Sequence, residues 1–423
     1  MSFRVGCPFG GRVILPRRIG SLGIFMFESL SLLPSDPILG LSLAYQEDTN
    51  PDKVDLGVGV YKDARGETPI MAAVTEAEKV RLARETSKAY VNPAGYPGAN
   101  AAMEALVYGE EHSALSQKRV ASVQTPGGCG ALRLAAELIV RARPGARVWV
   151  SDPTWANHTP LLGSAGLTLK SYPYYDFDRH CLDFDAMLAA LTQMPRDDLV
   201  LLHASCHNPC GADLSPEQWQ QIAELAQERG FVPFIDMAYQ GFGRGLAEDA
   251  YGPRLMAEAL PELLVAVSFS KNFGIYRERA GGLTLVAAHQ ERARACQSQL
   301  LSLARGLYSM PPSHGSALVD IIWHSPELRR LWQQELIEMR VRIQTLRQAL
   351  HEGLKARLPE RDFGFIVREW GMFSFLGLSE AQVARLREEF SIYMTGNSRI
   401  NIAGLSLDRV DYVSEAIARV ING

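Results

Sequence analysis

The run Ser268-Phe269-Ser270-Lys271-Asn272-Phe273-Gly274, with Arg279 close behind, carries the most chemistry in this chain. Lys271 follows an apolar stretch, 264–269, that reads as a strand. A lysine at a strand's carboxyl end reaches the crevice where open α/β sheets place their ligands. Desolvation there lowers its pKa and leaves an amine nucleophilic enough to form an imine. The two serine hydroxyls, Ser268 and Ser270, together with Arg279, suit a phosphate ester. Taken alone, the segment also reads as a polar turn with a solvated lysine, the usual fate of that residue.

Three further segments point to the same crevice. Asp236 ends the apolar run 231–235 and is followed by Tyr239. A carboxylate there is costly unless a cation or donor meets it. A protonated pyridine nitrogen would be such a partner, and Tyr239 could reach a ring oxygen. The plainer reading is an Asp capping a strand–loop junction. Thr125-Pro126-Gly127-Gly128-Cys129-Gly130 opens a helix running to about Arg141. Bare amides at a Gly-rich helix start bind phosphate, although a plain turn has the same composition. No Gly-Lys-Ser/Thr follows, so it is not a Walker loop. The fourth segment, His203-Ala204-Ser205-Cys206-His207-Asn208-Pro209-Cys210-Gly211, holds two histidines and two cysteines. A structural zinc site usually takes two ligand pairs from separate segments, and no second pair exists, so no metal is expected. Asn-Pro-Cys-Gly reads better as a tight turn aiming Asn208 into the crevice.

These residues need a frame, and the middle of the chain supplies one. Apolar runs 147–150, 167–172, 198–204, 231–235 and 264–269 lack alternation, as strands buried on both faces do. Helical stretches separate them. One covers 215–229, with Ser215 as N-cap, Pro216 at the first position, Gln218 completing a capping box and Gly230 as the stop. The repetition predicts a mostly parallel sheet with helices on both faces. A longer amphipathic pattern, 326–358, suits a helix linking two domains. A smaller mixed region follows: an extended segment at 371–376, a helix over 380–390, and strands near 391–394 and 400–402.

The 423 residues allow two or three domains. A formal net charge of -4 and the lack of a long uncharged apolar run give no reason to expect nucleic acid or a membrane as partner. Six cysteines in such a length form no disulfide framework, which fits a reducing, cytoplasmic setting. Residues 1–25 hold Arg4, Arg12, Arg17 and Arg18 and no acid before Glu28. A transit peptide has this character, but a translation start placed too early, with Met26 as the real one, is the preferred reading.

From about Met26 onward the chain resembles the aspartate and aromatic amino-acid aminotransferases of fold type I. The blocks that carry the resemblance include Asp36-Pro37-Ile38-Leu39-Gly40-Leu41, Leu56-Gly57-Val58-Gly59-Val60-Tyr61-Lys62-Asp63, Trp149-Val150-Ser151-Asp152-Pro153-Thr154-Trp155, Ala238-Tyr239-Gln240-Gly241-Phe242, Ser270-Lys271-Asn272-Phe273-Gly274 and Gly371-Met372-Phe373-Ser374. The resemblance implies an α/β fold: a large domain on a mostly parallel seven-stranded sheet flanked by helices, and a smaller α+β domain. It divides the chain into an extension 1–25, a small-domain part 26–68, a large domain 69–338 and a second small-domain part 339–423. It implies pyridoxal 5'-phosphate as cofactor and a homodimer with shared active sites.

Residue roles follow from the same resemblance. Lys271 looks like the lysine that holds the cofactor as a Schiff base and moves the Cα proton. Asp236 looks like the pyridinium partner, with His203 supporting it from behind. Tyr239 and Asn208 look like donors to the ring oxygen, and Trp155 like the plate stacked on the ring. Gly128, Cys129, Ser268, Ser270 and Arg279 would hold the phosphate, with Tyr90 from a neighbouring subunit. Arg399 looks like the fork for the substrate α-carboxylate, Arg305 like the arginine for a second carboxylate across the dimer interface, and Gly59 like a wall of the substrate pocket. Pro153 and Pro209 fall where cis peptides recur. The implied reaction passes an amino group from aspartate or an aromatic amino acid (Phe, Tyr, Trp) to 2-oxoglutarate or oxaloacetate by a ping-pong route. Three positions depart from the family pattern: Cys129 and Cys210 replace hydroxyl residues, and Met310 replaces a small polar one near Arg305. Met310 tilts the pocket toward aromatic or broad substrates. A lyase or decarboxylase on the same fold, or a non-catalytic regulatory homologue, are the alternatives. Both carboxylate arginines weigh against the first, and the intact Lys271, Asp236, Tyr239 and Arg399 against the second.

Overall fold

A computed structural model of the chain describes residues 26–33 and 37–423. The segment 1–25, read above as an extension, lies outside the described residues, as does Asp36. The frame is a seven-stranded sheet: β1 (Val120–Pro126), β2 (Arg147–Asp152), β3 (Thr168–Pro173), β4 (Leu199–His203), β5 (Val232–Met237), β6 (Leu263–Ser268) and β7 (Ala280–Val286). Their order across the sheet is β1-β7-β6-β5-β4-β2-β3. Neighbours pair in parallel except β7, which runs antiparallel to both β1 and β6.

The five strands expected from apolar runs are all present, with ends shifted by a residue or two. The strands β1 and β7 were not foreseen. Ser122, Gln124 and Thr125 break the apolar run of β1, and Gly281-Gly282 dilute that of β7. The two glycines have a steric reason. A Cβ on Gly281 would sit 2.5 Å from the Val267 carbonyl oxygen and 2.8 Å from the Gly127 carbonyl carbon. The first turn of helix α1 (Gly127–Ala142) can therefore lie close against the sheet only because position 281 has no side chain.

Helix α2 (Pro216–Arg229) forms as its caps require. Ser215 Oγ accepts from the Gln218 amide at 3.2 Å, the Gln218 side chain accepts from the Ser215 amide at 2.8 Å, and Gly230 closes the helix in the left-handed conformation. Helix α3 (Gln290–Leu307) packs outside β1. Helix α4 (Pro326–Arg357) carries a continuous buried stripe of Trp332, Leu336, Met339, Ile343, Leu346, Leu350 and Leu354. Each such side chain contributes roughly 1.5–3 kcal/mol on burial. Trp332 stacks on Phe273 with centroids 4.5 Å apart and donates its indole N–H to the Asn272 carbonyl at 2.7 Å. The long helix thus buttresses the turn that carries Lys271.

Farther along, α4 holds Arg347, which is fully buried. It donates to the Ile366, Gly371 and Phe373 carbonyls at 2.6, 2.9 and 2.6 Å. Beside it lies Glu369, also buried, whose Oε1 accepts from the Tyr175 hydroxyl at 2.8 Å and whose Oε2 meets the Ser374 hydroxyl. This network pins strand β8 (Phe373–Phe375), which pairs antiparallel with β9 (Arg399–Asn401) and sets Phe375 opposite Arg399. The strand expected at 400–402 is thus one residue early, because Asn401 Oδ1 accepts from the Ala403 amide and turns the chain into a single 3-10 turn. Helix 380–390 matches its expected span, with a Ser379–Gln382 capping box. A short parallel pair joins Val54–Asp55 to Ile392–Tyr393. Among the described residues no helix is long and apolar enough to cross a membrane.

Candidate active site

The sheet register assembles the site. His203 ends β4 opposite Asp236 on β5, and Ser268 ends β6 opposite Gly281 on β7. All lie at the carboxyl edge of the parallel strands, where the loops after them enclose a cavity of about 330 Å³. Its walls include Gly59, Gly128, Cys129, Trp155, His203, Asn208, Asp236, Tyr239, Ser268, Ser270, Lys271, Arg279 and Arg399. Of the residues picked from the sequence, only Tyr90 and Arg305 stand apart. Tyr90 is 91% exposed, and Arg305 is exposed on α3 with its guanidinium on the Ser309 hydroxyl. A larger cavity of about 680 Å³ lies elsewhere, at the amino ends of β4, β5 and β6 around Leu199, Val232 and Leu263. It holds no lysine and faces away from this chemistry.

At one end of the smaller cavity is an anion cup. Helix α1 begins at Gly127 with no side chain capping its first amides, so those N–H groups are left for a ligand. Arg279 donates to the Tyr276 carbonyl at 2.8 Å and approaches Ser270 Oγ at 3.4 Å. Arg279 is not glycine, yet its backbone takes the left-handed conformation, φ 54° and ψ 48°. Gly127 takes φ 68°, the left-handed region that favours glycine.

In the middle stand Lys271 and Asp236. Lys271 Nζ lies 4.7 Å from the centre of the Tyr239 ring. Burial lowers its pKa and Arg279 adds to that, while Asp236 and Cys129 oppose it. A lysine in such a place is readily neutral and nucleophilic. Burial pushes Asp236 up, but the hydrogen bond from His158 and the nearby positive groups His158 and Lys271 outweigh it and hold the carboxylate below its ordinary value. The group thus stays an anion, with one oxygen engaged and the other free of hydrogen bonds to the described residues.

The position assigned to His203 needs correction. The histidine that meets Asp236 is His158, with Nε2 at 3.1 Å from Oδ2. His203 points instead to Thr154 Oγ1 at 3.3 Å and lies edge-on to His158, ring centres 5.3 Å apart. Thr154 Oγ1 also meets His158 Nδ1 at 2.8 Å, which orients the ring. Burial drives His203 well below its ordinary pKa, so it sits there neutral. The sequence bore no signal for His158, a residue of the six-residue helix His158–Gly163 with no apolar period around it.

The far end is built for a carboxylate. Arg399 is 6% exposed; it donates to the Gly57 carbonyl at 2.7 Å and lies 4.6 Å from the Phe373 ring centre. Its Nε is buried with no partner among the described residues. An orphaned charged donor of this kind asks for an anion. Phe373 stands edge-on to Tyr239 at 5.9 Å. Tyr276, another wall residue not foreseen, accepts the Tyr61 amide on its hydroxyl at 3.0 Å. The segment 206–211 is a tight turn with Asn208–Pro209 cis, as is Asp152–Pro153. Its cysteine and histidine meet each other, Cys210 Sγ to His207 Nδ1 at 3.1 Å, away from the cavity walls.

Comparison with known proteins accords with this geometry. The family model "Aminotransferase class I and II" matches residues 51–417. The aspartate aminotransferase of Escherichia coli is 46% identical over 94% of this chain and 100% of its own length. The aromatic-amino-acid aminotransferase of Pseudomonas aeruginosa is 47% identical over 93% of this chain and 98% of its own. A crystal structure of the aromatic-amino-acid aminotransferase from Burkholderia pseudomallei, covalently bound to pyridoxal phosphate, superposes with a TM-score of 0.92 at 44% identity, covering 93% of this chain and 99% of that one.

Proposed function

Since the chain belongs to the class I and II aminotransferases, a family whose cofactor is pyridoxal phosphate, we propose that its cavity exchanges the amino group of aspartate or an aromatic amino acid with 2-oxoglutarate or oxaloacetate. The residues present fit the cofactor. Uncapped amides of α1 and Arg279 suit its phosphate, and the Asp236 anion suits its ring nitrogen. When bound, the cofactor supplies a carbonyl carbon and an electron-withdrawing ring. The chain's own groups do the rest. Gly128, Cys129, Ser268, Ser270 and Arg279 would hold the phosphate, Trp155 would cover the ring, and Tyr239 and Asn208 would serve the ring oxygen. Asp236, kept ionised by His158, would hold the ring nitrogen in its protonated form. Arg399 orients the substrate α-carboxylate beside Gly59. Lys271 would hold the cofactor, and its amine would take the proton from the substrate Cα. The first 2-oxo acid leaves before the second enters, which is ping-pong kinetics.

Tyr90 and Arg305 stand away from their own cavity and exposed. This supports a homodimer in which each serves the partner's site, Tyr90 at the phosphate and Arg305 at a second substrate carboxylate. The division into small-domain parts 26–68 and 339–423 around a large domain is supported by α4, which touches the helices Ala72–Arg84 and His314–His324 as well as the C-terminal helix Leu407–Asn422. The free cysteines support a reducing, cytoplasmic setting. The observation that carries the activity is the half-buried lysine between an aspartate anion and an anion cup. Its test is the visible absorption of the purified protein with pyridoxal phosphate. Lys271→Ala should lose the lysine-bound band and turnover, and a variant that keeps both overturns the reading.

A further inference from the structure

Gln124 is buried near the end of β1, the strand at one edge of the sheet. It is no part of the cavity wall, yet its side chain joins two loops far apart in sequence. Its Oε1 accepts the Tyr96 amide at 3.0 Å, and its Nε2 donates to the Pro312 carbonyl at 2.6 Å. Its own backbone amide donates to the Ala94 carbonyl at 3.0 Å. The first loop lies so close that a Cβ on Gly95 would run into the Gln124 side chain. A second clamp sits nearby. Arg81, buried on the helix Ala72–Arg84, donates to Glu85 at 2.8 Å and to Ser313 Oγ at 3.3 Å. Segment 85–96 is thus fastened at both ends to residues 312–313. The two fastened segments carry the two residues that stand apart from their own cavity. Tyr90 lies within 85–96, and Arg305 rests on the Ser309 hydroxyl, in the turn that leads to Pro312. Removing the amide of Gln124 leaves a backbone donor and a backbone acceptor unpaired, one in each loop.

We propose that Gln124 is a positioning residue that acts in trans. It holds Tyr90 and Arg305 of one chain as a single unit presented to the partner's site. Affinity for the cofactor phosphate and recognition of a second substrate carboxylate there depend on the same buried amide. Substrates with an aromatic side chain carry no second carboxylate and escape the second effect. This rests on the reading that Tyr90 and Arg305 serve the partner's site.

The test uses hybrid dimers of the full chain in which one chain carries Lys271→Ala. Only the lysine-bearing chain then turns over and shows the lysine-bound visible band, and its site takes Tyr90 and Arg305 from the other chain. Gln124→Met is close in volume and lacks both hydrogen-bonding groups. On the lysine-less chain it should raise KM for aspartate and weaken pyridoxal-phosphate binding, read by titrating the band, each by about tenfold. With cofactor saturating, phenylalanine turnover should stay within about twofold. On the lysine-bearing chain the same substitution should leave aspartate KM and the band titration within about twofold of the control hybrid. If Gln124→Met yields no dimer, Ser313→Ala, which removes a single hydroxyl, goes through the same arrangement with an expected change of about threefold. Equal losses on aspartate and phenylalanine overturn the proposal, as does the same loss whichever chain carries the substitution, or no change in any hybrid. Each of these leaves the shared site standing. Arg305→Leu and Tyr90→Phe on the lysine-less chain test the underlying reading. If neither disturbs the remaining site, the shared-site reading fails and the proposal with it.

Discussion

Replacing Glu369 by Gln should flatten part of the pH dependence of stability. Glu369 is 4% exposed, and burial pushes its carboxyl up to about 8 from the ordinary 4.5, against the opposing pull of Arg347, Ser374 and Tyr175. An acid whose folded value is raised holds its proton more tightly when folded. Its stabilising contribution is complete below the unfolded value and is lost as pH rises through about 8. The whole span amounts to about 5 kcal/mol, an upper bound, at about 1.4 kcal/mol per pH unit. Between pH 6 and 8 the wild type should therefore lose about 2 kcal/mol relative to Glu369→Gln. Glutamine keeps an acceptor for Tyr175 and a donor for Ser374 but cannot titrate. Urea unfolding of both proteins at both pH values, at one protein concentration and saturating cofactor, gives the double difference. All other titrating groups cancel in it. A wild-type-minus-variant difference that stays flat from pH 6 to 8 refutes the reasoning, and so does a difference that grows with pH.

Three further outcomes follow from the same geometry. Asp236→Ala should cost about 3–5 kcal/mol of transition-state stabilisation, seen as a fall in kcat/KM of roughly 10²–10³-fold or more with cofactor saturating, because it strips the single buried anion from the cavity centre. Arg305→Leu should lose mainly aspartate turnover, by about 2–5 kcal/mol, and spare phenylalanine; equal losses on both substrates would remove Arg305 from the second-carboxylate role. Gly282→Ala should destabilise by about 1–3 kcal/mol in thermal or urea unfolding, because its Cβ would meet Met103 Sδ at 2.5 Å and the Val123 carbonyl oxygen at 2.9 Å.

How much of this could be read beforehand depends on where each signal lived. Strands β4, β5 and β6 are buried along almost their whole length and so appear as unbroken apolar runs. The residues at their ends, His203, Asp236 and Ser268, were therefore placed at one edge without coordinates. Helix α2 and helix 380–390 carried their capping boxes in plain view. Strand β7 was hidden because its glycines answer to a close approach of α1, which only the tertiary fold reveals. His158 was hidden for a related reason. Its partner Asp236 lies 78 residues away, and nothing in the local sequence around a short helix distinguishes a histidine that braces an aspartate from one that merely fills space. The buried Arg347–Glu369 pair likewise looked like ordinary charges on a helix and in a loop.

The left-handed backbone at Arg279 bears on how this chain can change over time. A non-glycine residue in that conformation costs roughly 1–2 kcal/mol. Glycine would relieve the cost, so a drift toward greater stability has an open path at this position, one that removes the guanidinium from the anion cup. Selection for thermal robustness alone would therefore push position 279 toward glycine and away from activity. Retention of arginine against that gradient is what a lineage under pressure for turnover, rather than for endurance, should display. In a library sorted first for stability and then for cofactor binding, the two screens should pull position 279 in opposite directions.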